Sequence, residues 1–382
     1  MTRYAHITGW GMAVPDRVLT NQELAQMVDT DDEWIVSRTG IRERHIARSD
    51  ETTATLATAA ACQAIEPTNI DPHEVDLIIV ATSTPEHFFP STASLVQDMM
   101  GAVNAGAFDL SAACTGFIYA VDMAAQAIRT GSIDSAVVIG AETLSRVINW
   151  EDRTTCILFG DGAGAFVLQA REKPGGVLSS IMRSDGSGGD LLSLPAGGSK
   201  IPTTHETVDA KLHTIRMNGR EVFRFATRVM ASATKEVVAE AGLELEDIDL
   251  VIPHQANQRI IETAARSLKL PADKFYMNLS KYGNTSTASI PIAFYEAFGE
   301  ERIHDGDNLV FVGFGGGLTW GALAVTWVKP EMVITAAKQR RRRIISFFAR
   351  IRSSLRRLRR KIEGVIFGTT LKGNRDSHPE DH

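Results

Sequence analysis

The sequence predicts an α/β fold made of two similar halves, and three observations support that prediction. Short runs of apolar, β-branched residues alternate with alanine-rich stretches, which is the pattern of buried strands covered by helices. Two strand-like segments recur farther along the chain, both shifted by the same distance in sequence. The composition, with 44% hydrophobic and 23% charged residues in 382 positions, is that of a globular domain.

The predicted elements follow one another in regular order. The strands are the apolar runs Leu77-Ile78-Ile79-Val80, Ala136-Val137-Val138-Ile139, Ala165-Phe166-Val167-Leu168, Leu250-Val251-Ile252, Leu309-Val310-Phe311-Val312 and 322–328. Alanine-rich stretches predict helices at 52–66, 116–129, 221–241 and 256–268, and a further helix is expected at 288–298. Because strands and helices alternate, we expect largely parallel sheets.

The internal repeat sets the expected domain organisation. It aligns 75–79 with 248–252, and 136–140 with 309–313. Two strand–turn units at one shift favour a duplicated half-domain, and a site at the seam can draw residues from both halves. We therefore expect halves at 1–175 and 176–329 and a tail at 330–382. The glycine- and serine-rich segment 184–206 is expected to be a long loop between the halves.

Charge is distributed unevenly along the chain, although the net charge is only −6. Residues 331–382 contain 14 Lys and Arg against 5 Asp and Glu, whereas the segment 1–330 contains 26 basic against 41 acidic side chains. An acidic body argues against nucleic acid as a partner, because phosphate contacts require a positive protein surface.

The sequence also indicates a compartment. No run of 18 or more apolar residues is present, and the first residues lack the pattern of a signal peptide. Cys62, Cys114 and Cys156 are too few for a disulfide framework, and an odd number fits free thiols. We expect a cytoplasmic protein.

Cys114 is the best candidate for a nucleophile. It lies in Asp109-Leu110-Ser111-Ala112-Ala113-Cys114-Thr115-Gly116-Phe117, between a strand and the helix predicted at 116–129. A helix N-terminus favours a thiolate through its free N–H groups and the positive end of its dipole. The competing interpretation is a buried structural thiol, which also suits Cys62 and Cys156.

Two polar residues in the second half follow predicted elements. His254 comes directly after the strand at 250–253, and ligands meet α/β sheets at the carboxyl ends of strands. Asn284 lies in a glycine-containing turn before the helix at 288–298. Each residue alone is equally typical of a satisfied polar group at a strand end or in a turn.

Two glycine-rich segments differ in what they predict. Phe314-Gly315-Gly316-Gly317-Leu318 follows a strand, and its glycines allow the close backbone approach that an oxyanion donor requires. A plain tight turn is the alternative. Gly160-Asp161-Gly162-Ala163-Gly164 precedes a strand rather than opening a helix, so we reject a dinucleotide-binding role.

Together these segments closely resemble the 3-oxoacyl-[acyl-carrier-protein] synthase III family over roughly residues 1–328. The resemblance rests on 32–41 (DEWIVSRTGI), 109–117 (DLSAACTGF), 159–163 (FGDGA), 253–257 (PHQAN), 283–286 (GNTS) and 314–321 (FGGGLTWG). It implies a thiolase-type fold, two halves in five αβαβα layers, and a homodimer. It also implies no cofactor and no metal, since coenzyme A enters within the thioester substrate.

The resemblance implies the reaction that initiates type II fatty acid synthesis, a decarboxylating condensation of an acyl-CoA starter with malonyl-[acyl-carrier-protein]. It makes Cys114 the acylated nucleophile, with His254 and Asn284 as partners. Their neutral N–H groups would stabilise the enolate left by decarboxylation without protonating it. The backbone N–H groups of Cys114 and Gly316 would form the oxyanion hole. Acylation before the second substrate binds predicts ping-pong kinetics.

The resemblance also assigns three sets of binding residues. Coenzyme A would meet Trp34 and Arg153, whose planar groups suit stacking on adenine, and also Arg38, Thr39 and Asn257. Acyl carrier protein would meet Gln255, Ala256, Asn257, Gln258, Arg259, Arg224 and Arg266, although a solvated basic face is the alternative for the arginines. The acyl pocket would include Phe159 and Phe89, with Phe89 reaching across the dimer.

The tail departs from the family, which normally ends near Val328. Its apolar residues Ile344, Phe348, Ile351, Leu355, Leu358, Ile362 and Val365 recur at spacings of three and four, and arginines lie between them. This pattern predicts a basic amphipathic helix. Peripheral membrane contact through 340–366, recruitment of carrier protein, docking on the acidic body and pairing in the dimer all remain open.

Three other functions compete with the leading one. A condensing enzyme or acyltransferase of secondary metabolism, of polyketide or quinolone type, would use a different starter, and the tail keeps that interpretation open. A Cys-His-Asn hydrolase would release free acid and no carbon dioxide. A non-catalytic scaffold would require that Cys114 is not acylated. Starter chain length is not predictable from the sequence, because it depends on pocket volume.

Overall fold

The computed structural model of the protein describes residues 2–330 and, in the tail, Leu355, Arg359 and Ile362, which are helical and exposed. The strands are β1 Tyr4–Ala13, β2 Val18–Thr20, β3 Glu43–His45, β4 Leu77–Ala81, β5 Gly106–Leu110, β6 Ser135–Glu142, β7 Gly162–Arg171, β8 Gly176–Ser184, β9 Leu192–Ser193, β10 Arg216–Met217, β11 Leu250–Pro253, β12 Asn308–Gly315 and β13 Thr319–Thr326.

The helices complete the architecture. The α-helices are α1 Asn21–Leu24, α2 Asp32–Thr39, α3 Thr53–Ile65, α4 Thr92–Met100, α5 Gly116–Arg129, α6 His205–Asp209, α7 Gly219–Glu240, α8 Gln258–Leu268, α9 Leu279–Tyr282 and α10 Ser289–Gly299. Short 3₁₀ turns occur at Pro72–Glu74, Ala113–Thr115, Leu144–Val147, Gly186–Leu191, Leu245–Asp247, Ala272–Lys274 and Ser286–Ala288.

Two large sheets form the frame, with strand orders β1-β7-β6-β4-β5 and β8-β13-β12-β11. The expectation of largely parallel sheets is wrong, because both sheets are mixed. Strand β4 runs parallel to β5 and β6, and β11 runs parallel to β12. The pairs β1–β7, β6–β7, β12–β13 and β13–β8 are antiparallel. The reason is that β7 and β13 each follow the preceding strand without a crossover helix.

The chain packs in five layers, as the predicted fold class requires. Helices α3 and α4 cover the outer face of the first sheet, and their alanines pack with residues such as Val137 and Val167. Helices α5 and α10 lie between the sheets, where Phe117 and Phe294 pack against both. Helices α7 and α8 cover the second sheet from outside. Apolar burial on both faces of each sheet explains the apolar strands.

The internal repeat seen in the sequence is structural. Strands β4 and β11 begin at Leu77 and Leu250, and β6 and β12 each span eight residues from Ser135 and Asn308. The 3₁₀ turns Ala113–Thr115 and Ser286–Ala288 correspond in the same way, as do the starts of α5 and α10. The two turns therefore occupy equivalent places in the two halves.

The prediction for segment 184–206 is wrong in its position. Strand β8 ends at Ser184 and pairs with β13, so the segment lies within the second sheet's part of the chain rather than between the halves. It contains a 3₁₀ turn and β9, which pairs with β10. Glycine and serine content signals irregular backbone but does not say between which strands it falls.

Two findings concern membranes and the tail. No helix within the described part of the chain combines the length and the apolar character needed to cross a bilayer. Leu355 and Ile362, two positions of the predicted apolar stripe, are 58% and 49% exposed. The other positions of that stripe lie outside the described residues.

Candidate active site

Cys114 lies at the centre of the molecule, where its turn meets the second half. The turn Ala113–Thr115 joins β5 to α5, and Ala113 adopts a positive φ of 46°. Gly315 at the end of β12 approaches the turn so closely that a Cβ there would lie 2.7 Å from the Cys114 nitrogen. The hydroxyls of Thr115 and Thr319 are 2.9 Å apart. Contacts from both halves therefore hold the nucleophile's backbone.

The structure brings the predicted trio together. Cys114, His254 and Asn284 line one cavity of about 90 Å³. His254 follows β11, and its backbone N–H donates to the Val312 carbonyl at 2.8 Å. The Asn284 backbone N–H donates to the Leu158 carbonyl at 2.8 Å, and its side-chain oxygen accepts from the Ser286 N–H at 2.8 Å. Because that oxygen is occupied, the amide NH₂ is the end left for a ligand.

His254 is held as a neutral imidazole. It is 1% exposed, and burial lowers its pKa to about 3. Its Nδ1 lies 2.7 Å from the Ser289 hydroxyl, at the start of α10. The Phe314 ring stands edge-on to the imidazole, with ring centroids 5.3 Å apart. A neutral ring that accepts the Ser289 proton at Nδ1 carries its own proton on Nε2.

Burial acts on Cys114 in the opposite direction from the sequence-based expectation. The sulfur was expected to be ionised by the start of α5, yet Cys114 is 7% exposed and burial raises its pKa to about 12. Loss of water penalises a thiolate more than nearby dipoles favour it. The free protein therefore holds a protonated thiol, and Ser286 is the side chain whose hydrogen bond favours the ionised form.

Cys114 also lines a second cavity, of about 120 Å³. Its walls are mainly apolar and include Leu144, Val147, Phe159, Leu192, Leu194, Ile215 and the backbone of Gly316. Phe159 lines both cavities, and its place in an acyl pocket stays a prediction. Phe89 lines neither cavity among the described contacts and is 87% exposed.

The predicted coenzyme A residues differ in exposure and in contacts. The guanidinium carbons of Arg38 and Arg153 lie 4.3 and 5.3 Å from the Trp34 ring centroid. The side-chain amide of Asn257 donates to the Arg38 carbonyl at 2.9 Å. Thr39 is buried, and its hydroxyl donates to the Ile35 carbonyl at 2.7 Å. The contacts of these residues with coenzyme A stay predictions.

The predicted carrier-protein residues differ in exposure. Arg224, Arg259 and Arg266 are exposed on α7 and α8. Ala256 and Gln258 are half-buried. Gln255 is 1% exposed, and its amide donates to the carbonyls of Pro253 and Tyr276. The contacts of these residues with carrier protein stay predictions.

Sequence reasoning missed several residues of the site. The apolar wall formed by Leu144, Val147 and Ile215 comes from segments with no motif of their own, so no local signal marked it. Glu142, a buried carboxylate at the end of β6, was also missed. The position of Glu142 directly after an apolar strand was a signal in the sequence, because an acidic side chain there is rarely buried unless it is paired.

Comparisons with known proteins agree with this geometry. Residues 108–186 match the family model described as 3-oxoacyl-[acyl-carrier-protein] synthase III, and residues 238–327 match its C-terminal model. The chain is similar to the β-ketoacyl-[acyl-carrier-protein] synthase III of Caldanaerobacter subterraneus, with 54% identity over 325 residues, which cover 85% of this chain and 98% of that protein.

Two solved structures extend the comparison. The 3-oxoacyl-[acyl-carrier-protein] synthase III of Aquifex aeolicus is 47% identical with a TM-score of 0.78, covering 85% of this chain and 100% of that one. The priming β-ketosynthase from the R1128 polyketide pathway is 34% identical with a TM-score of 0.80, covering 86% of this chain and 98% of that one. The likeness ends before the basic tail.

Proposed function

The chain belongs to the 3-oxoacyl-[acyl-carrier-protein] synthase III family, and we propose that Cys114, His254 and Asn284 carry out its reaction. That reaction is the decarboxylating condensation of an acyl-CoA with malonyl-[acyl-carrier-protein] that initiates fatty acid synthesis. One observation carries the assignment of residues: the three side chains line a single buried cavity, although they come from both halves of the chain.

In the first step the Cys114 sulfur attacks the carbonyl of the acyl-CoA thioester. The new carbon–sulfur bond replaces the bond to coenzyme A, which leaves as the thiol with the proton that Cys114 gives up. The backbone N–H groups of Cys114 and Gly316 are proposed as the donors for the oxyanion of the tetrahedral intermediate. The acyl chain then occupies the apolar cavity that Phe159 and Leu144 border.

In the second step the malonyl thioester loses carbon dioxide in the cavity with His254 and Asn284. The electron pair of the broken bond passes into the thioester as an enolate, and the imidazole Nε2–H and the amide NH₂ donate to its oxygen. The low pKa of His254 keeps the ring neutral. The proton on Nε2 is therefore that of a neutral imidazole, which is too weak an acid to protonate the enolate. The enolate carbon attacks the acyl group, and the released Cys114 sulfur regains a proton.

Two assignments concern the substrates' delivery. Trp34 and Arg153 are proposed to sandwich the adenine of coenzyme A. The guanidinium of Arg38 also lies over the Trp34 ring. Arg153 is tied to Asp29 at 3.1 Å and would move as the base enters. The exposed arginines at 224, 259 and 266 form the proposed docking surface for the acidic carrier protein.

The enzyme is proposed to act as a homodimer. Strand β5 lies at an edge of the first sheet, and Phe108 on it is 40% exposed. Phe88 and Phe89 expose 85% and 87% of their surface, which is costly for neighbouring phenylalanines in a monomer. A second copy that covers this region would allow Phe89 to wall the partner's acyl cavity.

The tail and the compartment are further proposals. The basic amphipathic pattern of 340–366 favours peripheral binding to an anionic membrane over recruitment of carrier protein, because apolar and basic residues recur together as membrane-surface helices require. The thiols of Cys114 and Cys156 form no disulfide among the described residues, which fits a reducing cytoplasm, where we place the enzyme.

Loss of function in single variants tests the proposed roles. We expect Cys114→Ala to abolish acyl-enzyme formation, because the sulfur is the acyl acceptor. His254→Ala and Asn284→Ala should still be acylated but should release carbon dioxide from malonyl-[acyl-carrier-protein] at least about a hundredfold more slowly. Intact-protein mass spectrometry after incubation with acyl-CoA measures the first step, and release of labelled carbon dioxide measures the second.

Cys62→Ala is the matched control and should retain both steps, since Cys62 lies on α3 away from the cavities. Acyl label on Cys62 or Cys156 in the wild type would overturn the assignment. A panel of acyl-CoA chain lengths in the same assay separates fatty acid initiation from a secondary-metabolite starter, which the likeness to a polyketide priming enzyme keeps in view. Release of free acid without carbon dioxide would instead indicate a hydrolase.

A further inference from the structure

A buried carboxylate beside the nucleophile's turn has no role in the reaction described above. Glu142 ends β6 and has no exposed surface. It accepts hydrogen bonds from the N–H groups of Ser83 at 3.0 Å and Thr84 at 3.1 Å, and from the Thr84 hydroxyl at 2.6 Å. The hydroxyls of Thr82 and Thr287 follow at 3.2 and 3.1 Å. Every contact is one that an ionised carboxylate can accept.

The two segments joined by Glu142 both border the proposed catalytic centre. Ser83 and Thr84 line the acyl cavity with Cys114. Thr287 belongs to the turn Ser286–Ala288, and Ser286 lines the same cavity. The carboxylate of Glu142 therefore links the cavity wall at Ser83 and Thr84 to the turn Ser286–Ala288, which borders the same cavity.

The turn in question orients one of the enolate donors. The Ser286 N–H donates to the Asn284 side-chain oxygen at 2.8 Å, which points the NH₂ end of that amide away from the turn. Ser286 holds this N–H in place with a positive φ of 49°, a left-handed conformation that is strained for residues other than glycine. The bond from the next side chain, Thr287, to Glu142 helps to hold that conformation.

Comparison of the two halves shows that the carboxylate fills a special place. Glu142 and Gly315 end equivalent strands, at positions that the internal repeat aligns. Gly315 leaves room for the turn of Cys114, whereas Glu142 fills the corresponding space and binds the turn of Thr287. The end of β12 thus packs against the turn that carries Cys114, whereas the end of β6 binds the turn Ser286–Ala288 through the carboxylate of Glu142.

We propose that Glu142, as a carboxylate, is a positioning residue for the condensation, which ties the acyl-cavity wall at Ser83 and Thr84 to the turn that orients Asn284. This inference rests on the proposed function for its catalytic consequence. Its structural consequence, a fixed negative charge close to the Cys114 sulfur, can be measured without any acyl substrate.

The charged and titratable surroundings of the sulfur make that measurement specific. His254 shares the cavity and is neutral. Strands β12 and β13 present glycines and Thr319 to the nucleophile's turn. Glu142 is the carboxylate that acts on Cys114 by charge, and it raises the pKa of the thiol. Burial raises the pKa of Glu142 above its usual range, although the hydrogen-bond donors around the carboxylate oppose that shift.

The first test replaces the charge and keeps the shape. In Glu142→Gln, the amide oxygen can take the place that receives the Ser83 and Thr84 N–H groups, and its NH₂ can donate to the Thr287 hydroxyl. We expect alkylation of Cys114 by iodoacetamide, followed by mass spectrometry across pH 6–10, to become about tenfold faster below the thiol pKa, because a nearby like charge is gone. A wild-type pH profile in this variant would overturn the proposal.

The matched control is Asp161→Asn. Asp161 is also fully buried and accepts from the N–H groups of Ala47 at 2.7 Å and Ser145 at 2.9 Å, but it lines neither cavity among the described residues. The Cys114 alkylation profile of this variant should match that of the wild type. An equal acceleration here would show a general loosening of the protein and would contradict a specific role for Glu142.

The second test removes the anchor and keeps the charge. Thr287→Val preserves the shape of the side chain but cannot donate to Glu142. We expect the alkylation profile of the wild type, normal acyl-enzyme formation and a roughly tenfold lower rate of decarboxylation. Full decarboxylation in this variant would sink the positioning role. If the wild type released no carbon dioxide at all, the proposed function would fail instead, while the alkylation result for Glu142→Gln would still stand.

Discussion

Burial has opposite consequences for the two titratable side chains of the catalytic cavity. It holds His254 neutral, which suits a hydrogen-bond donor to an enolate, and it holds Cys114 as a thiol until a substrate arrives. The proposed decarboxylation needs the neutral imidazole, whereas the proposed acylation requires Cys114 to lose its proton as the sulfur attacks. The same closed cavity therefore favours the second step and opposes ionisation in the first.

The depressed pKa of His254 leads to a prediction about acid stability. The unfolded chain binds a proton at this residue near its ordinary pKa of 6.5, whereas the folded protein does so only near 3. Stability from this group is therefore present above pH 6.5 and is lost as the pH falls toward 3. We expect the melting temperature of the wild type to fall more steeply between pH 6.5 and 4.5 than that of His254→Asn.

Differential scanning calorimetry at several pH values between 4.5 and 8 measures this difference. Because other buried groups titrate equally in both proteins, the comparison isolates His254. The pH profile of the condensation rate should also show no decrease above about pH 5 that comes from protonation of His254. Parallel melting curves for the two proteins would show that the imidazole is not held neutral by the fold.

Elements that are buried on both faces were predicted best from sequence. Strands β6 and β12 were found within a few residues, since a sheet between two helical layers leaves only apolar side chains on its central strands. The positions of Cys114, His254 and Asn284 beside predicted elements agree with the structure, in which they follow β5, β11 and α9. Their catalytic roles stay predictions. The motifs of the family then brought these three residues into one prediction.

What failed depended on contacts that the order of residues does not reveal. Strand direction was wrong, because β7 and β13 return without helices. The contacts of Thr39 and Gln255 with coenzyme A and carrier protein stay predictions, and the structure adds that both side chains donate to carbonyl groups inside the protein. A polar residue in a functional motif either contacts a ligand or supports the backbone that does, and only the packing distinguishes the two.

The end of β12 contacts the turn of Cys114 so closely that Gly315 should tolerate no side chain. A Cβ on residue 315 would lie 2.7 Å from the Cys114 nitrogen and 3.1 Å from the Ala113 side chain, and the first of these is backbone that cannot rotate away. We expect Gly315→Ala to lower the free energy of unfolding by about 2 kcal/mol and to slow Cys114 acylation at least about tenfold.

Chemical denaturation and acyl-enzyme mass spectrometry give the two numbers. Gly186→Ala is the control, since nothing lies within 4 Å of a Cβ at that position. It should change neither quantity beyond about 0.5 kcal/mol in stability. Normal acylation in Gly315→Ala would mean that the turn can shift freely and that β12 does not position the nucleophile.

At the scale of the whole molecule, duplication explains why the catalytic residues are spread over the chain. The equivalent turns Ala113–Thr115 and Ser286–Ala288 meet between the two sheets, and their first residues share a positive φ. One turn supplies the sulfur, and the other carries the backbone that orients the amide of Asn284. In the proposed mechanism the two equivalent turns therefore serve different roles, one carrying the nucleophile and the other supporting Asn284.

The basic tail is a separate addition to this body, and its removal should separate catalysis from membrane binding. The likeness to known synthases ends before the tail, and the catalytic cavities are lined by residues of the body alone among those described. We expect a chain truncated after Lys329 to keep its condensation rate within about twofold. Its sedimentation with vesicles of anionic phospholipid should fall at least about tenfold, because each basic residue near such a surface contributes about 1 kcal/mol. Vesicles of neutral phosphatidylcholine are the control, to which both proteins should bind weakly. Equal binding of the full and truncated chains to anionic vesicles would rule out the membrane role. A lower condensation rate of the truncated chain with carrier-bound malonyl groups would point to recruitment of the carrier protein instead.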